Sequence, residues 1–369
     1  MDKLDKLIKD LQKEYGAGTV MDLRKRDSSL SNVERIPVDS PKIGDALGNG
    51  GVPRGRMIEI YGPESGGKTS MATYLSGQFQ KRDIEYMDDK GELKKRKGVV
   101  IYIDAEHAID LQFAKIQGFD MSQSLLVQPD SGEDALDIAI KSAESGEVDL
   151  IVIDSVAALT PLAELEGEMT DQQMGLQARM MSKFCRKIKG ILSEKKCTLI
   201  AINQIRMKIG GYGNPETTPS GMALKFYSSV RIEMRKKEYI LEKGEPVGLQ
   251  ISMKVVKNKT APPMKRYLLD LDFKRGFDST MEWIDFAVET EVIKKGGPWF
   301  HLPSGEKIQG KLSVIEHYSK EENKEEYEKV IEETRKRKFS GASSSVDYVD
   351  EEALTEEVMD YPERIPVEE

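Results

Sequence analysis

The sequence predicts an α/β protein: a mostly parallel, twisted sheet built around a phosphate-binding loop, with an N-terminal helix before it and a small α+β domain after it. Three observations predict this. From Val38 to Asn203, runs rich in Val, Ile and Leu alternate with helical patterns, as parallel strands covered on both faces require. One strand-to-helix junction carries Gly62-Pro63-Glu64-Ser65-Gly66-Gly67-Lys68-Thr69, which fits G-x-x-x-x-G-K-[ST]. Between 226 and 273 three long strand-like runs (226–235, 248–257 and 266–273) follow without helices, which predicts an antiparallel extension of the same sheet.

At the N-terminus, residues 2–15 place Leu4, Leu7, Ile8, Leu11 and Tyr15 at helical spacing opposite a charged face. Such a stripe must be covered, by the helix's own domain or by a neighbouring subunit. Residues 16–34 lose periodicity and read as a linker, which closes a first segment at 1–37. The core, 38–278, then has strand candidates at 57–61, 98–103, 124–128, 148–154 and 197–203, with helices near 67–80, 108–117, 132–144 and 174–194. The polar stretch 81–97 interrupts the alternation and reads as a surface loop. A composition shift near 278, an amphipathic helix from Met281 to Ile293 and an expected strand pair after Pro298 mark a small domain over 279–340. Gly341-Ala342-Ser343-Ser344-Ser345 opens a flexible acidic tail, 341–369.

The totals bound the function. A chain of 369 residues can hold two or three domains. No run of 18 apolar residues and no signal-peptide core occur, so the expectation is a cytoplasmic protein without a membrane partner. The two cysteines, Cys185 and Cys197, give no disulfide framework and read as buried fillers in a reducing compartment. The net charge of −9 lies entirely in residues 346–369, which hold ten acidic side chains and one basic one. The remainder, with 54 basic and 54 acidic residues, is neutral and compatible with a nucleic-acid partner. The tail reads either as a solvated end or as a polyanion competing with DNA phosphates for basic surface.

The loop's chemistry follows from its residues. Gly66 and Gly67 let backbone N–H groups turn toward phosphates, and the helix N-terminus adds its positive dipole end. Lys68 reaches the β- and γ-phosphates, and the Thr69 hydroxyl holds Mg²⁺. Leu150 to Asp154 is an apolar strand ending in a carboxylate, placed to support that Mg²⁺ beside Ser155. Ile101 to Glu106 is a second such strand, and Glu106 at its carboxyl end is the candidate base for the attacking water. His107 has no metal-ligand partner at the right spacing and reads as structural.

Gly62–Thr69, Asp104-Ala105-Glu106-His107-Ala108, Val152–Leu159, Met174-Gly175-Leu176, Ala178–Met181, Asn203–Gly210, Asn214–Thr218, Lys225-Phe226-Tyr227 and Val255–Lys259 together resemble the bacterial RecA recombinase family, over roughly residues 13 to 311. The resemblance implies a DNA-dependent ATPase that polymerises with ATP and Mg²⁺ as a helical homopolymer on single-stranded DNA and pairs it with homologous duplex. It also implies site roles. Glu106 matches the catalytic glutamate and Gln204 the sensor of the γ-phosphate. Asp110 and Phe113 fall where the family contacts adenine, with Phe113 replacing the more usual Tyr. Lys257 and Lys259 match lysines that reach the ATP of the adjacent subunit.

Two segments match DNA-binding loops. The first is 164–174, with Met174, leading into Arg179. The second, 204–221, supplies Arg206, Met207, Lys208, Ile209, Gly210, Gly211, Tyr212, Asn214, Thr217, Thr218 and Gly221. Arg206 and Lys208 suit phosphates, and Met174 and Ile209 suit wedging between base steps. The single ring, Tyr212, is few for a strand-coating protein but leaves base edges open for pairing. The second loop is one residue shorter than the family pattern, and 81–97 has no family counterpart. Lys295 and Lys311 match basic positions that gather duplex DNA, while Arg335-Lys336-Arg337-Lys338 reads as a solvated helix end. Bacterial relatives also act on a self-cleaving repressor. A ring-forming motor of similar core, or an accessory protein that uses ATP only as a ligand, are the rival readings.

Overall fold

The structure, a computed structural model, describes residues 3–16, 20, 33–87, 91–168, 175–207, 216–218, 221–339 and 364–366. It falls into two compact units, residues 1–34 and 35–369. In the first, α1 (Lys3–Tyr15) is amphipathic and buries none of its side chains. Leu7 on its apolar stripe is 52% exposed.

The second unit is organised by one sheet. Its strands are β1 (Met57–Gly62), β2 (Val100–Asp104), β3 (Ser124–Val127), β4 (Leu150–Asp154), β5 (Thr198–Gln204), β6 (Val230–Glu242), β7 (Glu245–Asn258), β8 (Arg266–Asp272) and β9 (Gly276–Phe277). They lie in the order β9-β8-β7-β6-β1-β5-β4-β2-β3, and Arg364–Pro366 pairs with β6 off this path. From β6 to β3 all pairings are parallel, and from β6 to β9 all are antiparallel. This is the expected parallel sheet with an antiparallel extension.

Side chains alternate across the sheet, as strand geometry demands. Ile58, Tyr102, Val152 and Ile200 enter one apolar layer, with α2 (Pro41–Leu47) and α3 (Lys68–Lys81). Ile101, Ile151, Ile153 and Leu199 enter the other, with α5 (Gly132–Ser145) and α6 (Leu176–Lys195). The short α4 (Leu111–Ile116) joins the first layer through Ala114. Pairing the strands in register sets Gly62 beside Gln204 and Asp104 beside Asp154. The carboxyl ends of four strands therefore meet in one row.

Past the sheet, α7 (Thr280–Glu289), a three-stranded antiparallel sheet of β10 (Lys294–Gly296), β11 (Trp299–His301) and β12 (Lys307–Gln309), α8 (Lys311–Tyr318) and α9 (Lys324–Phe339) follow. Ile284, Phe300, Val314 and Val330 share a small apolar cluster of their own there.

Three local expectations are corrected. Residues 81–97 are not a plain loop: Asp83–Met87 and Leu93–Lys97 pair as a β-hairpin, with cross-strand ion pairs Lys97–Asp83 and Lys95–Glu85. The strand expected from 226 begins at Val230, because Ala223–Tyr227 is a short helix. The basic end of α9 is not simply solvated: Arg335 stacks over the Trp283 ring at 5.1 Å and Lys338 pairs with Glu289. The tail expectations for 341–363 and 367–369 lie outside the described residues.

Candidate functional site

The row of strand ends frames the site. After β1 the loop Pro63–Gly67 turns into α3, and the turn demands glycine at two places. Gly67 caps the helix at φ 77°, and a Cβ there would meet Ile251 Cδ1 at 2.4 Å. A Cβ on Gly62 would meet the Met234 carbonyl oxygen at 2.0 Å. The loop is thus held against β6 and β7 by close backbone approach.

Lys68 is buried, and its ammonium donates to the Pro63 carbonyl. Burial depresses its pKa, while the nearby Asp154, Glu106 and Glu64 carboxylates pull it back up. Thr69 Oγ1 donates to Asp154 Oδ2 at 2.9 Å, and the Tyr102 phenol donates to the same oxygen at 2.7 Å. Burial raises the Asp154 pKa, these two hydrogen bonds lower it, and Glu106 and Asp104 raise it by repulsion.

Glu106 is joined to two other strand ends. Its Oε1 accepts from Ser155 Oγ at 2.5 Å and from Gln204 Nε2 at 3.0 Å. Its backbone is fixed too, since the Ala105 and Glu106 N–H groups donate to the Asp154 carbonyl at 2.7 and 3.3 Å. The structure therefore brings Lys68, Thr69, Asp154, Ser155, Glu106 and Gln204 into one hydrogen-bonded and electrostatic group. Sequence reasoning missed two of its supports. Tyr102 is one. Asp104 is the other: its carboxylate accepts from the Ala108 and Ile109 N–H groups and from Gln128 Nε2, which holds the chain beyond Glu106. An aspartate ending a strand next to the Asp154 strand was the available signal for Asp104; none marked Tyr102.

Other expected residues stand apart. Asp110 caps α4 by accepting from the Gln112 and Phe113 N–H groups at 2.9 and 3.0 Å, and Phe113 packs half-buried on the core. Lys257 donates to the Lys225 and Phe226 carbonyls at 2.8 and 3.1 Å. Lys259 is exposed just past β7. No hydrogen bond among the described residues ties any of these four to the Glu106 group.

Arg179 is exposed in the first turn of α6. Gly221 sits beside it in space, since a Cβ on Gly221 would lie 2.9 Å from Ala178 Cβ. Gly221, which ends the second loop segment, thus lies at the start of α6. Arg206–Met207 pairs antiparallel with Glu216–Thr217, so the second segment rises from Gln204 on a two-residue β-ladder, with Thr218 following it. Met174, Lys208, Ile209, Gly210, Gly211, Tyr212 and Asn214 lie outside the described residues. In the C-terminal part, Lys311 is engaged by Asp285 and is mostly covered, which leaves it little to offer a polyanion. Lys295 lies over the Phe300 ring at 5.8 Å.

A family model described as the RecA N-terminal domain matches residues 2–278. The chain is 47% identical over 310 residues to the Protein RecA of Campylobacter lari, covering 84% of this chain and 86% of that protein. It is 47% identical over 316 residues to the Protein RecA of Thermus aquaticus, covering 85% and 88%. With the Protein RecA of Mycoplasma mycoides subsp. mycoides SC the identity is 43% over 337 residues, covering 90% and 93%.

Proposed function

The chain belongs to the RecA family, a recombination and DNA-repair function goes with that membership, and on this premise we propose that it is an ATP-hydrolysing strand-exchange recombinase acting as a filament on single-stranded DNA. One observation carries the proposal. Glu106, the candidate base, accepts a hydrogen bond from Gln204 at 3.0 Å, and Gln204 is the last residue of β5, immediately before the ladder that carries the second loop segment. A change at the γ-phosphate that moves Glu106 must alter Gln204, and through it the loop. ATP state and DNA grip are linked by one side-chain contact.

The residues fit the cofactor. Thr69 and Asp154 offer hard oxygen donors, and no cluster of three or more His, Cys, Asp or Glu able to hold a metal occurs among the described residues. That matches a cation held by one or two protein oxygens plus substrate phosphates, as Mg²⁺ is. When bound, Mg²⁺ supplies charge neutralisation at the phosphate oxygens. Lys68 swings from the Pro63 carbonyl to those oxygens, the loop N–H groups orient the phosphates, and Glu106 positions water and takes its proton. Lys257 and Lys259 complete the site of the next protomer. Asp110 and Phe113 border the base. Arg179, Arg206, Met207, Thr217, Thr218 and Gly221 contact the nucleotide strand with their loop neighbours, residues 279–340 act as a small domain that meets duplex, and α1 docks on the adjacent subunit.

The test is phosphate release with and without single-stranded DNA, in the whole protein and in Lys68→Ala. Release stimulated by DNA in the first and reduced to background in the second is expected. Undiminished stimulated release in Lys68→Ala overturns the site. Electron microscopy with DNA and a slowly hydrolysed ATP analogue should show helical filaments rather than rings.

A further inference from the structure

Tyr102 lies in mid-β2 with none of its surface exposed. It faces the same sheet layer as Val152, its register partner on β4, and Asp154 stands two residues further along that strand. Cross-strand diagonals of this kind are spanned only by long side chains. The Tyr102 ring packs edge-on against Phe119, at 6.1 Å between centroids and 70° between planes, among apolar neighbours that would accept phenylalanine equally well. The hydroxyl is therefore not there for packing. A buried phenol must find an acceptor, and this one has a carboxylate oxygen at 2.7 Å.

The geometry around Asp154 says what the hydroxyl does. A carboxylate's terminal torsion is broad, so a single hydrogen bond leaves its plane loosely set. Asp154 Oδ2 takes two donors from two elements: Thr69 Oγ1 from α3 and the Tyr102 phenol from β2. Thr69 is on the phosphate loop's helix, beside the nucleotide. Tyr102 is in the sheet, whose core position does not depend on the nucleotide. The second donor is the fixed one.

We propose that Tyr102 is a positioning residue for the divalent cation of the nucleotide site: its hydroxyl sets the plane of the Asp154 carboxylate, and so sets how little Mg²⁺ suffices for tight nucleotide binding. This rests on the reading of Thr69 and Asp154 as the metal side of the site. Residues that orient metal-supporting groups are worth about 10–100-fold in metal affinity, and with Thr69 still in place the lower end, about tenfold, applies here.

The test is equilibrium binding of a fluorescent adenosine diphosphate to the full chain across a Mg²⁺ titration and in EDTA, for the wild type, Tyr102→Phe, Asp154→Asn and the double variant. Tyr102→Phe should move the Mg²⁺ midpoint up about tenfold while leaving affinity in EDTA unchanged. In the Asp154→Asn background the same change should shift the midpoint less than about twofold, because two residues acting through one contact are not additive. A Tyr102→Phe protein with the wild-type midpoint, whatever its thermal stability, reduces Tyr102 to packing and overturns the proposal. A full shift that persists in the Asp154→Asn background also overturns it, since the hydroxyl then acts elsewhere. A wild type whose binding ignores Mg²⁺ overturns the metal reading together with this inference, and is thereby told apart from the other failures.

Discussion

Strand β4 has a buried aspartate at each end, and the protein keeps the two in opposite ways. Asp149, just before the strand, is 2% exposed, and Asp154, its last residue, is 7% exposed. Asp149 receives formal charge: Arg54 Nη2 donates to Oδ1 at 3.0 Å, Arg96 pairs with Oδ2, and the Val99 N–H donates to Oδ2 at 3.0 Å. Asp154 receives dipoles instead, from the Tyr102 and Thr69 hydroxyls, and no ion pair to it occurs among the described residues. A carboxylate removed from water and left with neutral donors stays costly to ionise, which is why burial raises the Asp154 pKa. At the amino end the protein supplies the opposite charge from its own arginines. At the carboxyl end it does not, and the function proposed above leaves that to a cation brought with the substrate.

That difference is broken first at Asp154. Replacing it with Asn should lower DNA-stimulated ATP hydrolysis about a thousandfold, the scale for removing one electrostatic element of a preorganised site. Folding stability in urea should hold or rise, because a raised-pKa carboxylate has been neutralised. Hydrolysis within tenfold of wild type would place Asp154 with the structural carboxylates. The mirror experiment is Asp149→Asn, which removes the one carboxylate charge facing two guanidinium groups, one of them 5% exposed at its side chain. The expected cost is about 3–5 kcal/mol of unfolding free energy, read from the denaturant midpoint. Turnover per folded molecule should change little. A loss below about 1 kcal/mol would show that the clamp at the amino end is worth no more than a surface pair.

The same contrast explains what could be read from the sequence. The strands of the parallel core and the loop were legible because short apolar runs rich in Val, Ile and Leu and a glycine motif are local signals: 57–61 became Met57–Gly62, and 148–154 became Leu150–Asp154. Glu106 and Asp154 were singled out because the carboxyl ends of parallel strands face one crevice, and the structure does bring them together there. Arg96 in a basic run showed no sign of its partner 53 residues away. The paired strands Asp83–Met87 and Leu93–Lys97 were hidden because their ladder carries Lys–Asp and Lys–Glu pairs and the second strand has one apolar residue, Leu93, so it shows no hydrophobic period. Tyr102 was read as one more apolar strand residue, since a phenol's reach across a register is a property of the assembled sheet. Lys311 matched a basic position, yet the fold spends it on Asp285.

Glu282 on α7 provides the finest test of the contrast, being another buried carboxylate, with neither the arginines of Asp149 nor the metal role proposed for Asp154. Ser40 Oγ donates to its Oε2 at 2.5 Å, Lys42 draws it toward the charged form, and Asp270 opposes that. Burial is the largest influence and pushes its pKa up from the ordinary 4.5 to about 7. The sign follows: below about 4.5 the carboxyl is protonated folded and unfolded alike and its full contribution is present. As pH rises toward 7 the unfolded chain ionises first, and stability falls until the folded carboxyl ionises too. The whole swing is about 3 kcal/mol, at the low end of the loss expected at Asp149 because no ion pair is broken. Glu282→Gln keeps the shape, and the Ser40 hydroxyl can either donate or accept. The variant should therefore be the more stable protein at pH 8, and its unfolding free energy in urea should lose most of the slope between pH 4.5 and 7. Parallel pH profiles for the two proteins would mean that Lys42 already supplies Glu282 with the compensation that Arg54 and Arg96 give Asp149, and the division between carboxylates met by charge and those met by dipoles would have to be redrawn around formal charge at longer range.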